Sequence, residues 1–226
     1  MTHKPLALVA GAGAGLGTAL LRRFESGGMR AVGLARTPAK DCEFDIQDCN
    51  LGDTREAKHK IANIMQAYGP PKIVVHNTSN LVVQPFLDLD LTDFEASWRA
   101  MVLTAAVLAQ SVLPHMVKSG GGTFIMSGAT ASLRGGARFA ALASPKFALR
   151  GLAQSLAREF QPQGIHVAHV ILDGIIDSER SRERHKIAPD KMMRPEDIAD
   201  EYWHLAHQPK STWSHEVDLR PQSENF

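Results

Sequence analysis

Three glycines carry the first hint of chemistry: Gly11, Gly15 and Gly17, spaced GxxxGxG within LALVAGAGAGLGTALLRRF at residues 6–24. They join an apolar run, Leu6 to Ala10, to a segment in which Leu16, Leu20 and Phe24 recur at helical spacing. A strand that bends sharply into a helix needs residues without a Cβ where backbone meets backbone or ligand. The helix start that follows offers unpaired amides and the positive end of its dipole, which suits a pyrophosphate. Ala14 and Leu16, set among these glycines, count with them as cofactor-contacting positions. The pattern predicts a dinucleotide-binding turn. Its alternative is a glycine-rich loop that only packs a helix onto a sheet.

About 20 residues past the glycines, a dinucleotide fold reads the ribose of its coenzyme. Here RAVGLA at 30–35 predicts a second strand, and Arg36 stands at its exit with no acid beside it. An acid would grip the free 2′-hydroxyl of NAD, whereas an arginine suits a 2′-phosphate, so the expected cofactor is NADP, with NAD possible. A solvated strand-end charge is the other reading of Arg36.

Those residues need elements to hold them, and the chain has enough to build one core. At 226 residues and 44% hydrophobic content, a single nucleotide-binding domain over 1–226 is expected. With 25 basic and 24 acidic residues the formal charge is +1, which gives no field for a nucleic-acid backbone or an anionic membrane. Cys42 and Cys49 lack CxxC spacing, so neither a disulfide framework nor a zinc site is expected, and a reducing, cytoplasmic setting fits. His166, His169, His204 and His207 have no cysteine or acid at metal-ligand spacing and are read as structural, so no metal is expected. Residues 5–21 are apolar but interrupted by glycines and lack a cleavage site, and no unbroken span-length apolar run follows; neither a signal peptide nor a membrane span is expected.

In order, CEFDIQD predicts a third strand ending at Asp45 and Ile46, and Asp53 to Tyr68 a one-striped helix stopped by Gly69, Pro70 and Pro71. KIVVH at 72–76 follows as a strand, then a long helical segment from Thr92 to Val117, with Pro114 at a kink or last turn. TFIM at 123–126, a polar loop from Ser127 to Arg138, a helix from Ala140 to Phe160 and IHVAHVIL at 165–172 come next. SERSRERHK reads as a solvated helix or loop; Pro195 to His207 predicts a helix and Glu216 to Leu219 a last strand. This alternation predicts an α/β fold: a Rossmann-type doubly wound parallel sheet with helices on both faces.

With these pieces assembled, the chain resembles the short-chain dehydrogenase/reductase family over nearly its whole length. The resemblance rests on the glycines at 11, 15 and 17, Asp45 with Ile46, Asn77 after the fourth strand, the serine-and-glycine loop after the fifth, ASPK at 143–146, and Gly174 after the sixth. It implies a sheet of about seven parallel strands and an extended groove for NAD or NADP. It further implies that Asp45 and Ile46 border the adenine, that Asn77 lines the cofactor channel with Gly174 beyond it, and that Lys146 bonds the nicotinamide ribose. It implies an oxidoreductase acting on a small molecule, assembled as a homodimer or homotetramer through the two long helices.

The departures from the family pattern fall on its chemistry. The tyrosine of the YxxxK motif is Leu142, the serine before it is Ala129, the helix asparagine is Met101, and the Pro-Gly after the sixth strand is Asp173-Gly174. Tyr68 and Tyr202 are expected away from the groove. Losing a general acid typically removes ~10² to 10⁴-fold in rate. Ser127 and Thr130, flanking the empty serine position, are therefore read as catalytic candidates beside Lys146, with Asp173 as a further one. Arg134 and Arg138 are candidates for a substrate carboxylate or phosphate. An activated double bond conjugated with a carbonyl would ask least of such a site, since hydride addition gives an enolate that solvent can protonate. The expectation is an atypical oxidoreductase with a degenerate catalytic tetrad; the alternative is a non-catalytic NAD(P)-binding sensor, scaffold or inactive subunit.

Overall fold

The strand Leu6–Ala10 (β1) is buried along its whole length, and its residues alternate between two cores. Leu6, Leu8 and Ala10 face one cluster, while Ala7 and Val9 face the other. A strand covered on both sides has no polar face to show, which is why it reads as an unbroken apolar run. The computed structural model describes residues 4–38 and 42–224.

β1 is joined by β2 (Arg30–Ala35), β3 (Ile46–Asp48), β4 (Pro71–His76), β5 (Gly122–Ser127), β6 (Ile165–Leu172) and β7 (Glu216–Leu219). They form a seven-stranded sheet in the order β3-β2-β1-β4-β5-β6-β7. Every pairing is parallel. The chain builds outward from β1 in one direction, then crosses to lay β4 on its other side. The strand ends beside β1 and β4 therefore open a crevice, the place where such sheets bind ligands.

α1 (Leu16–Ser26) and α7 (Pro195–Ala206) cover one face through Leu20, Leu21, Phe24, Ile198 and Tyr202. The other face is covered by α2 (Thr54–Tyr68), α4 (Thr104–Lys118) and α5 (Ala140–Phe160). Their stripes Ala57/Ile61/Ile64, Leu108/Val112 and Leu149/Ala153/Ala157 meet the sheet. Asp53 caps α2 by accepting from the amides of Arg55 and Glu56, both at 3.0 Å.

α3 (Leu91–Trp98) runs into α4 through a π-helical turn, Arg99–Leu103. The continuous run Leu91–Lys118 is long and apolar enough to cross a membrane by length and composition, yet half of its most apolar window is buried inside the fold. The buried half, which includes Leu108, Val112 and Met116, packs in the core over β4 and β5. Pro114 introduces the last turn of α4. The charged stretch after β6 forms the short exposed helix α6 (Glu179–His185).

One strand boundary departs from expectation. β3 begins at Ile46 rather than ending there, so Asp45 and Ile46 lie at the strand's N-terminal end, away from the crevice. Asp45 is held there by an ion pair with Arg30. The Arg30 guanidinium also lies 4.7 Å over the Tyr68 ring and donates to its hydroxyl at 3.0 Å. An acid next to an isoleucine looked like a strand exit only because nothing local reveals its distant basic partner. Ser127, expected in a loop, is the last residue of β5.

Candidate functional site

The turn between β1 and α1 is fixed by what a side chain would strike. Gly11 has φ +86°, and a Cβ there would lie 2.7 Å from the Asn77 carbonyl carbon. At Gly17 a Cβ would lie 2.7 Å from Ala12 Cα, so the helix packs directly on its own approach loop. Asn77 Nδ2 donates to the Gly11 carbonyl at 3.3 Å and ties the turn to the end of β4. Gly15, at φ +88°, begins α1 with no side-chain cap and no acid in the first turn. A helix start left uncapped, beside a Gly13 whose Cβ position faces open space, is a cradle that fits a phosphate group.

The cradle opens into a cleft of about 1080 Å³ at the C-terminal ends of the strands. Gly11, Ala14, Gly15, Leu16, Gly17, Arg36 and Asn77 all line it. Asp45 and Ile46 do not; Cys49 and Asn50, which leave the far end of β3, take that place. Arg36 is exposed at the exit of β2. Ser178, Arg180 and Ser181, from the start of α6, close the cleft from above the glycines. The mixed charge of that stretch concealed a segment of which only part faces solvent.

The candidate catalytic residues are not brought together. Ser127 points through the sheet, its Oγ 2.9 Å from the hydroxyl of fully buried Tyr202 in the core under α7. Strand alternation decides this: Ile125 and Ser127 share the face covered by α1 and α7, so this hydroxyl cannot serve the cleft. Burial pushes the Tyr202 phenol well above its ordinary pKa. Thr130 sits in a short 3₁₀ turn, Thr130–Ser132, and donates to Asp173 Oδ1 at 2.5 Å. Asp173 in turn lies 3.2 Å from Arg220, so threonine and acid are engaged with each other and with a guanidinium. Gly174 packs rather than lines: a Cβ there would lie 2.6 Å from Pro221 Cδ.

Lys146 is buried in α5 and donates from Nζ to the Ser127 carbonyl at 2.7 Å. Burial pulls its pKa down to about 8, within reach of neutral-pH proton exchange. Leu142 lies one helical turn before it, half-buried. Met101, in the π-helical turn, is fully buried. Ala129 offers its amide to Ser132 Oγ at 3.2 Å and has no hydroxyl of its own.

A polar cluster that the sequence did not single out lies at the floor of the cleft. His76, the last residue of β4, places Nε2 2.9 Å from Thr104 Oγ1 and 2.8 Å from Thr78 Oγ1. Thr78 and Thr104 both line the cleft. Burial pushes the His76 pKa down to about 3, the nearby Lys146 charge adding to the effect, so the ring is neutral. The available signal was a histidine directly before Asn77, hidden because it also closes the apolar strand KIVVH.

The other strand histidines have structural partners. His169 lies with Nδ1 3.3 Å from Glu216 Oε2, and Arg150 clamps that carboxylate with two donors at 2.7 Å. Its ring packs against Gly128, where a Cβ would lie 2.4 Å from Nε2. His166 stacks on Trp213 at 4.9 Å between ring centroids.

The family model described as short chain dehydrogenase matches residues 5–187, and the chain belongs to that family. An uncharacterised short-chain type dehydrogenase/reductase from Sinorhizobium fredii is 27% identical over 193 residues, covering 76% of this chain and 74% of the relative. An L-xylulose reductase from Bos taurus is 26% identical over 170 residues, covering 71% and 68% respectively. The solved short-chain dehydrogenase from Rhodopseudomonas palustris superposes with a TM-score of 0.82 at 31% identity, covering 96% of this chain and 98% of that one. ElxO, solved with NADP bound, shares the fold at a TM-score of 0.87 and 19% identity, covering 96% and 98%.

Proposed function

We propose that this chain is an NADP(H)-leaning oxidoreductase with an atypical, tyrosine-free site, acting on a small carbonyl compound activated by conjugation. The observation that carries this reading is the cradle of Gly11, Gly15 and Gly17, which opens with Arg36 and Asn77 into one cleft. Bound there, a nicotinamide nucleotide supplies or accepts hydride. Gly11, Ala14, Gly15, Leu16 and Gly17 would hold its phosphates, Cys49 and Asn50 would flank the adenine, and Arg36 would meet a 2′-phosphate. Lys146 would act from beneath, through its charge, on whatever negative oxygen develops above the cleft floor. ElxO, which shares the fold, was solved with NADP, and this supports the preference.

The test is incubation of the purified chain with NADPH and panels of ketones, quinones and enones, following loss of the reduced nicotinamide absorbance. Oxidation with enones or quinones but not simple ketones is the expected result. Ketone reduction at ordinary enzyme rates would contradict the role assigned to Leu142. A second reading, a nucleotide-binding sensor, scaffold or inactive subunit, is favoured by two observations: the Ser127 hydroxyl is bonded to Tyr202 in the core, and the Thr130 hydroxyl to Asp173. Micromolar binding of coenzyme without turnover of any compound would decide for it.

The same proposal covers setting and assembly. A reducing, cytoplasmic compartment suits Cys42 and Cys49, both free thiols. A homodimer or homotetramer through α4 and α5 would cover Phe147, which is exposed on α5. Sedimentation at micromolar concentration tests this, and a clean monomer would refute it. One nucleotide-binding domain would then account for the whole chain.

A further inference from the structure

Charge nearly balances over the whole chain, 25 basic residues against 24 acidic, but it does not balance around the cleft. Among the described residues, the lining holds three guanidinium groups, Arg36, Arg99 and Arg180, and one carboxylate, Asp53. That carboxylate is occupied in capping α2, where it accepts from the Arg55 and Glu56 amides. A concave site whose charges are mostly of one sign concentrates its field there and draws an anion.

The arginines stand at two places. Arg36 leaves β2 beside Cys49, whose amide donates to the Ala35 carbonyl at 2.9 Å. Arg99 reaches the same side from the π-helical turn, donating from Nη2 to the Gly52 carbonyl at 3.4 Å, and it also meets Glu95 at 3.8 Å. Arg180 comes from α6, over the glycine turn. A Cβ on Gly15 would lie 3.7 Å from Ser178 Cβ and 4.0 Å from the Asp177 carbonyl oxygen.

The root of α6 is pinned in that position. The Asp177 amide donates to the Met193 carbonyl at 2.8 Å, and the Met193 amide to the Ile175 carbonyl at 2.9 Å. Arg182 grips the Asp177 carboxylate from Nε at 2.6 Å and Nη2 at 2.7 Å, and Ser178 caps the helix by accepting from the Ser181 amide at 3.1 Å. These bonds use Arg182 and leave Arg180, which makes no ion pair or hydrogen bond with any described residue. A guanidinium with its fork of donors unspent, rooted above a turn that fits a phosphate, matches the geometry of phosphate oxygens.

We propose that Arg180 is the side-chain anchor for a diphosphate seated on the glycine turn, so that the cleft reads two separate anionic groups with two different arginines. This rests on the coenzyme reading above and adds a residue to it: Arg36 meets the 2′-phosphate at one end, and Arg180 grips the diphosphate from the side opposite α1. The grip also ties α6, which has no buried residue of its own, to the bound nucleotide.

Calorimetry with NADPH, ADP, adenosine 2′-monophosphate and inorganic pyrophosphate tests this without any turnover. Arg180 is exposed, so water screens it, and in Arg180→Ala the affinities for NADPH and ADP fall about tenfold. Affinity for adenosine 2′-monophosphate is unchanged in that variant. Arg36→Ala gives the converse, losing adenosine 2′-monophosphate and keeping ADP. Arg184→Ala, exposed one turn further along α6, removes the same charge and leaves all four affinities as in the wild type. Hydrogen exchange adds a second readout: NADPH slows exchange across α6 in the wild type and not in Arg180→Ala. Wild-type affinity for NADPH and ADP in Arg180→Ala overturns the assignment while the coenzyme reading stands. An equal loss in Arg184→Ala, or a loss in Arg180→Ala that extends to adenosine 2′-monophosphate, marks a general field and overturns it too. Arg180-dependent binding of pyrophosphate by a wild type that ignores NADPH keeps the diphosphate anchor and ends the coenzyme reading. A wild type that binds none of the four ends both.

Discussion

The glycine end of the cleft is made of backbone, and its far end rests on side chains of which Lys146, His76 and Thr104 are buried. At the glycine turn, Gly11 and Gly17 bring chain segments so close that a Cβ would lie 2.7 Å from a neighbouring backbone atom. At the far end, Lys146, His76, Thr78 and Thr104 are held by hydrogen bonds in the interior. The first region tolerates few residue types and leaves a legible pattern. The second is defined by which groups meet in space, and its members come from β4, the loop that follows it, α4 and α5. A chain can therefore keep the first unaltered while rebuilding the second.

Breaking the backbone end has the largest expected effect. In Gly11→Ala the new Cβ strikes the Asn77 backbone, and φ +86° is strained for any L side chain. Strain and overlap of about 3 kcal/mol or more weaken coenzyme affinity by on the order of 10²-fold or more. Gly13→Ala, whose Cβ faces open space, should change affinity far less. Equal losses in the two variants, measured by calorimetry with NADPH, would deny that close backbone approach is what selects glycine.

The side-chain end answers to pH instead. His76 and His169 have folded pKa values lowered to about 3 and about 4. Unfolded, each takes up a proton below about pH 6.5, so stability falls with acid at about 1.4 kcal/mol per pH unit for each ring. His76→Gln removes one ring's share of that slope between about pH 6 and 4. Lys146 carries the opposite signature. The unfolded lysine keeps its proton to about 10.5, whereas the folded one releases it from about 8. Stability gains from this group as pH rises through that window, and Lys146→Met abolishes the gain. Urea titrations across pH measure both, and slopes identical to wild type would show these groups are not buried as described.

Arg36 offers a smaller effect at the border of the two regions. It is exposed, so its attraction for a 2′-phosphate is screened by water. Arg36→Ala is expected to weaken NADPH by about tenfold, roughly 1.4 kcal/mol, and to leave NADH nearly unchanged. Equal affinity of the wild type for both coenzymes would remove the NADP preference.

Much of the fold was legible because its signals are local. The strands β1, β2, β4, β5, β6 and β7 and the stripes of α1, α2 and α4 fall where apolar periodicity places them, whereas α5 turns Leu149, Ala153 and Ala157 to the core and leaves Leu152, Leu156 and Phe160 partly covered. Gly11, Gly15, Gly17 and Asn77 lie in the cleft because turn chemistry is encoded where it acts. The failures are all non-local. Ser127 is one residue inside a strand, and strand alternation turns its hydroxyl toward Tyr202, 75 positions away. Thr130 is committed to Asp173 across 43 positions. The His76 cluster needs Thr104 from a helix whose placement no motif announces.

Asp45 gives the smallest effect and the sharpest check on register. In sequence it has the look of an adenine-side acid; in the fold it stands at the wrong end of β3, paired with Arg30. Both partners are partly exposed, and ion pairs of that kind contribute ~0–1 kcal/mol. Asp45→Asn should therefore shift the urea midpoint slightly and leave the NADPH dissociation constant unchanged. Asn50, which leaves the opposite end of the same strand and lines the cleft, should behave in the reverse way. Asn50→Ala is expected to weaken coenzyme binding several-fold, by ~1 kcal/mol, with little loss of stability beyond its bond to the Gly52 amide. The two positions are only five apart, so a binding loss at Asp45 with none at Asn50 would mean that the strand is shifted along its axis, and the adenine side of the cleft with it.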